Sequence, residues 1–291
     1  MSNNRPRESI EDAFRRIRST DASLDEQLQT FSDSVRQRSP DFADAIDRLV
    51  TRLQQNGAGA AAPRPGEPMP PFILPDETGH LVSLEDLITE GPVAVTFHRG
   101  HWCPYCRINI NALAQAHQKV SKEGAQIVAI MPDRQQFSSE LKIKGQLPFP
   151  ILTDMDNGYA LSLNLAIWLG DEMRKMMMDR RQDVSAYQGN DSWMLPIPAT
   201  FVVGQDGRIK ARFVDPDYRS AWRSTICWRR SGPELNCCSA TNRLHAASSA
   251  LPRQRRCAPV RLHHRHRRCV TARSHSLKFL PKRQAPACFA A

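Results

Sequence analysis

An α/β fold with a helical N-terminal extension and a basic C-terminal tail is predicted by three observations. A βαβα alternation runs through the middle of the chain, helical periodicity without strands precedes it, and the composition changes abruptly near residue 220. The size is compatible, since 291 residues with 41% hydrophobic side chains suffice for about two structural units.

Within residues 1–55 apolar positions recur at Ile10, Phe14 and Ile17, then at Leu24, Leu28, Phe31 and Val35, then at Phe42, Ile46, Leu49 and Leu53. This is the spacing of three short amphipathic helices. Ser9 with Asp12 and Ser23 with Glu26 have capping-box spacing, and Pro40 suits the first turn of the third helix. Such a unit reads as a helical cap or a dimerisation arm, so a homodimer is admitted. Residues 56–65, dense in Gly, Ala and Pro, read as a linker to a main domain over 66–220. There, 72–74 and 81–84 flank a turn ending in Gly79 and predict a β-hairpin. Residues 93–98 predict a buried strand, 104–122 a helix, 125–131 a strand and 135–144 a helix, which implies a mainly parallel sheet with helices on both faces. Residues 156–168 and 171–181 predict helices. Strands at 200–203 and 209–214 are joined by a tight turn at Asp206-Gly207 and so run antiparallel.

The net charge of +10 invites a nucleic-acid reading, but it is unevenly placed. Residues 1–220 hold 25 Lys+Arg against 29 Asp+Glu, and residues 221–291 hold 15 against 1. The tail keeps no period and reads as disordered. Its Arg, Ala, Pro, Ser, Cys and His richness is what GC-rich coding DNA gives out of frame, so a frameshift near residues 219–223 is expected. Its charge attracts phosphate without a recognition pattern, which leaves a nucleic-acid-binding module as a minor alternative and no specific nucleic-acid partner expected. Cys257, His263, His264, His266 and Cys269 match no standard zinc spacing. No apolar run nears the roughly 18 residues that cross a bilayer, and no export segment opens the chain. Together with a main domain holding only Cys103 and Cys106 among eight cysteines, this leads to the expectation of a cytoplasmic protein with no membrane partner.

Those two cysteines lie in the most informative string, His98-Arg99-Gly100-His101-Trp102-Cys103-Pro104-Tyr105-Cys106, between a buried strand and a helix. At that junction Cys103 faces the orphan N–H groups of the first turn and the positive end of the helix dipole, which favour thiolate, the nucleophilic form. Pro104 fits the first turn because it lacks an N–H. Cys106, about one turn on, can close a disulfide with Cys103. Arg99 and the two His add positive potential if they point inward. A Cys-x-x-Cys pair is also half of a zinc site, or two inert core thiols, although residues 1–220 offer no second pair.

The string resembles the peroxiredoxin-like branch of the alkyl hydroperoxide reductase and thiol-specific antioxidant family, built on the thioredoxin fold. The resemblance covers residues 66–218, through Gly66-Glu67-Pro68-Met69-Pro70-Pro71-Phe72, the hairpin, Gly91-Pro92-Val93, the Arg99 to Cys106 string with Trp102 before the first cysteine, and Pro198-Ala199-Thr200-Phe201-Val202-Val203. It implies a thiol-dependent peroxidase needing no cofactor or metal. In that cycle Cys103 becomes a sulfenic acid, Cys106 condenses with it, and thioredoxin or a similar dithiol reduces the disulfide. It also implies a cis peptide at Pro198, beside the redox pair. The sequence departs from typical peroxiredoxins where Gly100 stands for a Thr or Ser and Pro198 for an Arg. Arg99 is the candidate to supply the missing guanidinium, and a thioredoxin- or glutaredoxin-like thiol-disulfide oxidoreductase is the alternative. A thioredoxin-type sheet ends on a helix, and no amphipathic candidate follows Tyr218. Met176-Met177-Met178 and Trp168 read as packing, and Tyr187 and Trp193 as either the substrate mouth or a cover for the core edge.

Overall fold

The computed structural model describes residues 10–220, 228–231 and 234–237. The three N-terminal helices are α1 (Ile10–Arg18), α2 (Leu24–Arg38) and α3 (Pro40–Gln55). The α2 start is a reciprocal cap: Ser23 N–H donates to the Glu26 carboxylate at 2.8 Å and Glu26 N–H to the Ser23 hydroxyl at 3.4 Å. Pro40 opens α3 at a position where no N–H is needed. Ser9, proposed to cap α1, lies outside the described residues.

Residues 56–65 are packed onto the main sheet. Ala62 is buried, and the Arg212 guanidinium donates to the carbonyls of Ala62 and Pro63. The hairpin follows as β1 (Ile73–Pro75) and β2 (Leu81–Ser83), its turn held by Asp76, whose carboxylate accepts from the N–H groups of Thr78 and His80 at 2.8 and 3.0 Å. A short helix α4 (Leu84–Glu90), capped by Ser83, was not expected from the sequence, because seven residues hold too few turns to show a period.

The central elements are β3 (Val93–Phe97), α5 (Pro104–Lys122), β4 (Gln126–Met131), α6 (Gln135–Gly145) and β5 (Ile151–Thr153). The predicted helix over 156–168 is corrected. Asp156, Asn157 and Asn164 have left-handed φ of 57°, so only α7 (Gly158–Ser162) is helical, and β6 (Ala166–Trp168) is a strand. After α8 (Asp171–Met178) and α9 (Val184–Gln188) comes β7 (Met194–Pro196), which pairs antiparallel with β6. Strands β8 (Ala199–Val203) and β9 (Ile209–Val214) close the main sheet.

That sheet has the order β5-β4-β3-β8-β9. The pairs β3/β4 and β4/β5 are parallel, while β3/β8 and β8/β9 are antiparallel. It is therefore evenly mixed rather than mainly parallel, because β8 returns beside β3 in the opposite sense. With the Cys103–Cys106 string at the β3–α5 junction, this is a thioredoxin-like fold. Both faces of β3 are buried: Val93, Val95 and Phe97 join one core with Phe72 and Phe201, and Ala94 joins the other with Ile110 and Phe149. Side chains alternate along a strand, so burial on both faces requires an unbroken apolar run.

A third core joins the N-terminal helices to the first turns of α5. Phe14, Leu28, Phe31, Ile46 and Leu49 share it with Cys103, Tyr105, Cys106 and Ile108. The apolar faces of the extension thus cap the start of α5. Met173 and Met177 lie in this core, as does Trp193, whereas Trp168 is exposed. Past β9, two short unanticipated strands, β10 (Trp228–Ser231) and β11 (Glu234–Cys237), pair antiparallel, and no helix follows β9 among the described residues. The predicted disorder and the frameshift otherwise concern residues outside those described, as does the tail Cys/His group.

Candidate active site

Where β3 ends, the His98 N–H still bonds the Ile130 carbonyl at 2.9 Å, which holds the departing chain level with β4. Gly100 then turns the backbone with a φ of 147°. A Cβ on residue 100 would stand 2.4 Å from Trp102 Nε1 and 2.9 Å from Asp133 Oδ1, so a Thr or Ser hydroxyl has no room there. The departure from the typical peroxiredoxin residue is therefore steric: the Trp102 indole and the Asp133 carboxylate fill the place.

Cys103 is the N-cap of α5 and Pro104 its first residue, with Cys106 one turn further on. Both thiols are free, and only 1% of Cys103 and 2% of Cys106 is exposed. Arg99 is buried with them. Its backbone N–H donates to Cys106 Sγ at 3.3 Å, and its Nη1 lies 3.9 Å from Cys103 Sγ. Burial opposes ionisation of Cys103, but the Cys106 thiol, the Arg99 charge and the Cys106 and Tyr105 amides outweigh it, bringing the thiol down to about 6. Burial and the neighbouring Cys103 drive Cys106 the other way, well above the ordinary thiol range. One sulfur is thus set as thiolate and the other as thiol, which is the division of roles a nucleophile and a resolving group need.

Two groups around the pair, Asp133 and Tyr218, were not singled out from the sequence, and the expectation that His98 adds positive potential is corrected, because burial keeps it uncharged. The Arg99 guanidinium lies 3.7 Å from the Tyr218 ring centroid and 5.3 Å from that of Trp102. His98, held neutral by burial that pushes it down to about 4, sets its Nε2 3.0 Å from Thr96 Oγ1. Thr96 in turn donates to the Val128 carbonyl at 3.1 Å, which leaves its oxygen to accept the imidazole proton. Asp133, fully buried after β4, accepts from the His101 backbone N–H at 2.6 Å and pairs with His101 Nδ1 at 2.8 Å. A sequence signal for Asp133 exists: β3 and β4 are parallel neighbours, so residues just past their ends meet at one edge. Tyr218 has no such signal, because it reaches the site from beyond β9. Tyr187 stands in an aromatic cluster with His101, Trp102 and Phe137, while Trp193 is in the core.

The expectation of a cis peptide at Pro198 is corrected. No cis peptide occurs among the described residues. The Ile197 N–H is bonded to Leu165 and Ala199 is already paired with β3, so the chain runs extended between two ladders. Pro198 nevertheless lines a cavity of about 170 Å³ together with Phe97, His98, Cys106, Phe213 and Tyr218. Among the described residues no three His, Cys, Asp or Glu side chains are grouped to hold a metal ion, and no helix is long and apolar enough to cross a membrane.

A model of the AhpC/TSA family matches residues 65–212. The chain is similar to the chloroplastic peroxiredoxin Q of Sedum lineare, with 32% identity over 105 residues, 36% of this chain and 55% of that protein. It is also similar to the putative peroxiredoxin bcp of Coxiella burnetii, with 26% identity over 146 residues, 50% of this chain and 85% of that protein. Among solved structures it is similar to peroxidoxin BcpB from Mycobacterium tuberculosis, at 19% identity and a TM-score of 0.43, over 54% of this chain and 90% of that one. Its match to the Sedum protein thus spans about half of that relative's length.

Proposed function

Because the chain belongs to the AhpC/TSA family, we propose that it is a thiol-dependent peroxidase in which Cys103 is the peroxide-reacting sulfur and Cys106 the resolving one. The observation that carries this reading is the Arg99 guanidinium beside a buried N-cap cysteine. It favours thiolate before reaction and is a donor for the oxygen on which charge develops as the O–O bond breaks.

The Cys103 thiolate attacks one oxygen of a hydroperoxide, the O–O bond breaks, and the other oxygen leaves, after protonation, as water or an alcohol. Cys103 is oxidised to a sulfenic acid. The Cys106 thiol then loses its proton and attacks the Cys103 sulfur; the S–O bond breaks, water leaves and a Cys103–Cys106 disulfide forms. The Arg99 backbone N–H, already on Cys106 Sγ, favours that deprotonation. A dithiol of the thioredoxin type, available in a reducing cytoplasm, returns the pair to thiols by exchange through a mixed disulfide. Its relatives' names support hydroperoxides as the substrate class.

Stopped-flow mixing of the reduced protein with hydrogen peroxide or an organic hydroperoxide tests the assignment. Cys103→Ser abolishes the reaction, and Cys106→Ser leaves a sulfenic acid that dimedone traps. A wild-type protein inert to both oxidants yet rapidly oxidised by a small disulfide would instead establish thiol-disulfide exchange as the activity.

A further inference from the structure

We propose that Tyr218 is a positioning residue for the redox pair: its ring holds the Arg99 guanidinium against Cys103, and Arg219 anchors that ring to the N-terminal helices. The proposal rests on Cys103 being the reactive thiolate.

Residues 215–220 follow β9 and fold back across the start of α5. The segment is fixed by its own acids: Asp217 N–H donates to Asp215 Oδ1 at 2.8 Å, and Arg219 donates to Asp217 Oδ1 through its N–H at 3.1 Å and its Nε at 2.8 Å. Arg219 Nη1 then reaches Asp47 Oδ1 on α3 at 2.6 Å. Between these anchors Tyr218 is buried, 6% exposed, with Arg99 on its face and the Tyr105 ring edge-on at 5.4 Å. Tyr105 meets Phe31 of α2 edge-on at 5.0 Å. A continuous run of contacts thus joins α2 and α3, through the segment, to Arg99 and the sulfur.

The choice of an aromatic ring has a chemical reason. A guanidinium out of water needs a partner, and among the described residues Arg99 has no carboxylate. A carboxylate would cancel the positive potential at Cys103. A ring face attracts the cation through its quadrupole and does so more strongly when desolvated, yet it brings no negative charge. Tyr218 itself stays a neutral phenol, its burial pushing it up to about 12. The ionisable groups around Cys103 are then Cys106, Arg99, Tyr105 and Tyr218, of which only Arg99 is cationic. Freeing the guanidinium to turn away therefore weakens the one positive charge that holds the thiolate.

The test is a thiolate titration by ultraviolet absorbance on the full chain carrying Cys106→Ser, without any peroxide, so its outcome is independent of which oxidant the protein uses. Circular dichroism confirms the fold of each variant. Tyr218→Phe keeps the ring face but loses the phenol's hydrogen bond with Arg99, and its midpoint is expected to rise by clearly less than that of Tyr218→Leu. Tyr218→Leu keeps the bulk but has no quadrupole, and its midpoint is expected to rise by about one pH unit, or about tenfold less thiolate below both midpoints. Asp47→Asn, which loosens the Arg219 anchor, is expected to fall between them. A folded Tyr218→Leu protein with an unmoved midpoint overturns the proposal, and so does a Tyr218→Phe midpoint displaced as far as that of Leu.

Discussion

At the scale of single residues the chemistry depends on how Arg99 and burial divide the Cys103 proton. Burial alone raises a thiol, and the Cys106 side chain together with the Arg99 guanidinium brings Cys103 down to about 6. Thiolate is the reactive form, and the oxidation rate therefore rises with pH through that midpoint and levels above it. Arg99→Met removes the charge with little change of volume. Its profile is expected to move upward by at least about one unit, lowering the rate about tenfold below both midpoints and about twofold at pH 7. A pH-rate profile of peroxide oxidation measures this, and superimposable profiles would exclude Arg99 from the thiolate's stabilisation. The sequence exposed Cys103, Cys106 and Arg99 because all three lie within one strand-to-helix junction. Asp133 follows from the parallel pairing of β3 and β4 but carries no local mark of its own, and Tyr218 was not legible, since it reaches the pair from beyond β9. Gly100 departs from the typical residue already in sequence, but the indole and carboxylate standing where a Cβ would go are a tertiary property.

At the scale of elements, the helical extension is part of the wall around the redox helix. Phe31 of α2 is fully buried between Phe14 and Tyr105, edge-on to both. Phe31→Ala is expected to cost about 3 to 5 kcal/mol in denaturant unfolding and to speed alkylation of the α5 thiols under native conditions. Equal alkylation rates in mutant and wild type would show that α2 does not cover them. Long amphipathic helices were readable because 15 or 16 residues repeat the apolar stripe several times. The three-residue strands β5, β6 and β7 repeat nothing, and β6 reads as the end of a helix in sequence because the left-handed turns at Asn157 and Asn164 leave no local pattern. The antiparallel return of β8 was also hidden, because strand order is a tertiary property that no local pattern carries.

For the whole molecule, the buried base His98 ties folding to acidity. It stays neutral in the fold down to about 4, whereas an unfolded His takes its proton near 6.5. Between those values the unfolded chain binds more protons than the folded one, so stability falls as pH falls, by about 3 kcal/mol in total. Denaturant midpoints across this range measure the loss, and His98→Asn should flatten the dependence; an unchanged slope would assign the acid sensitivity to other groups. The same enclosure sets the rhythm of the proposed cycle. With Cys103 and Cys106 only 1% and 2% exposed, a peroxide needs a passage scarcely wider than water, but a protein dithiol must bring its own sulfur into line with theirs. The oxidised enzyme therefore has to swing the start of α5 or the 215–220 segment outward before it can be recycled. Turnover then reaches a plateau as the dithiol is raised, at a ceiling set by that swing, while the oxidative half stays first order in peroxide.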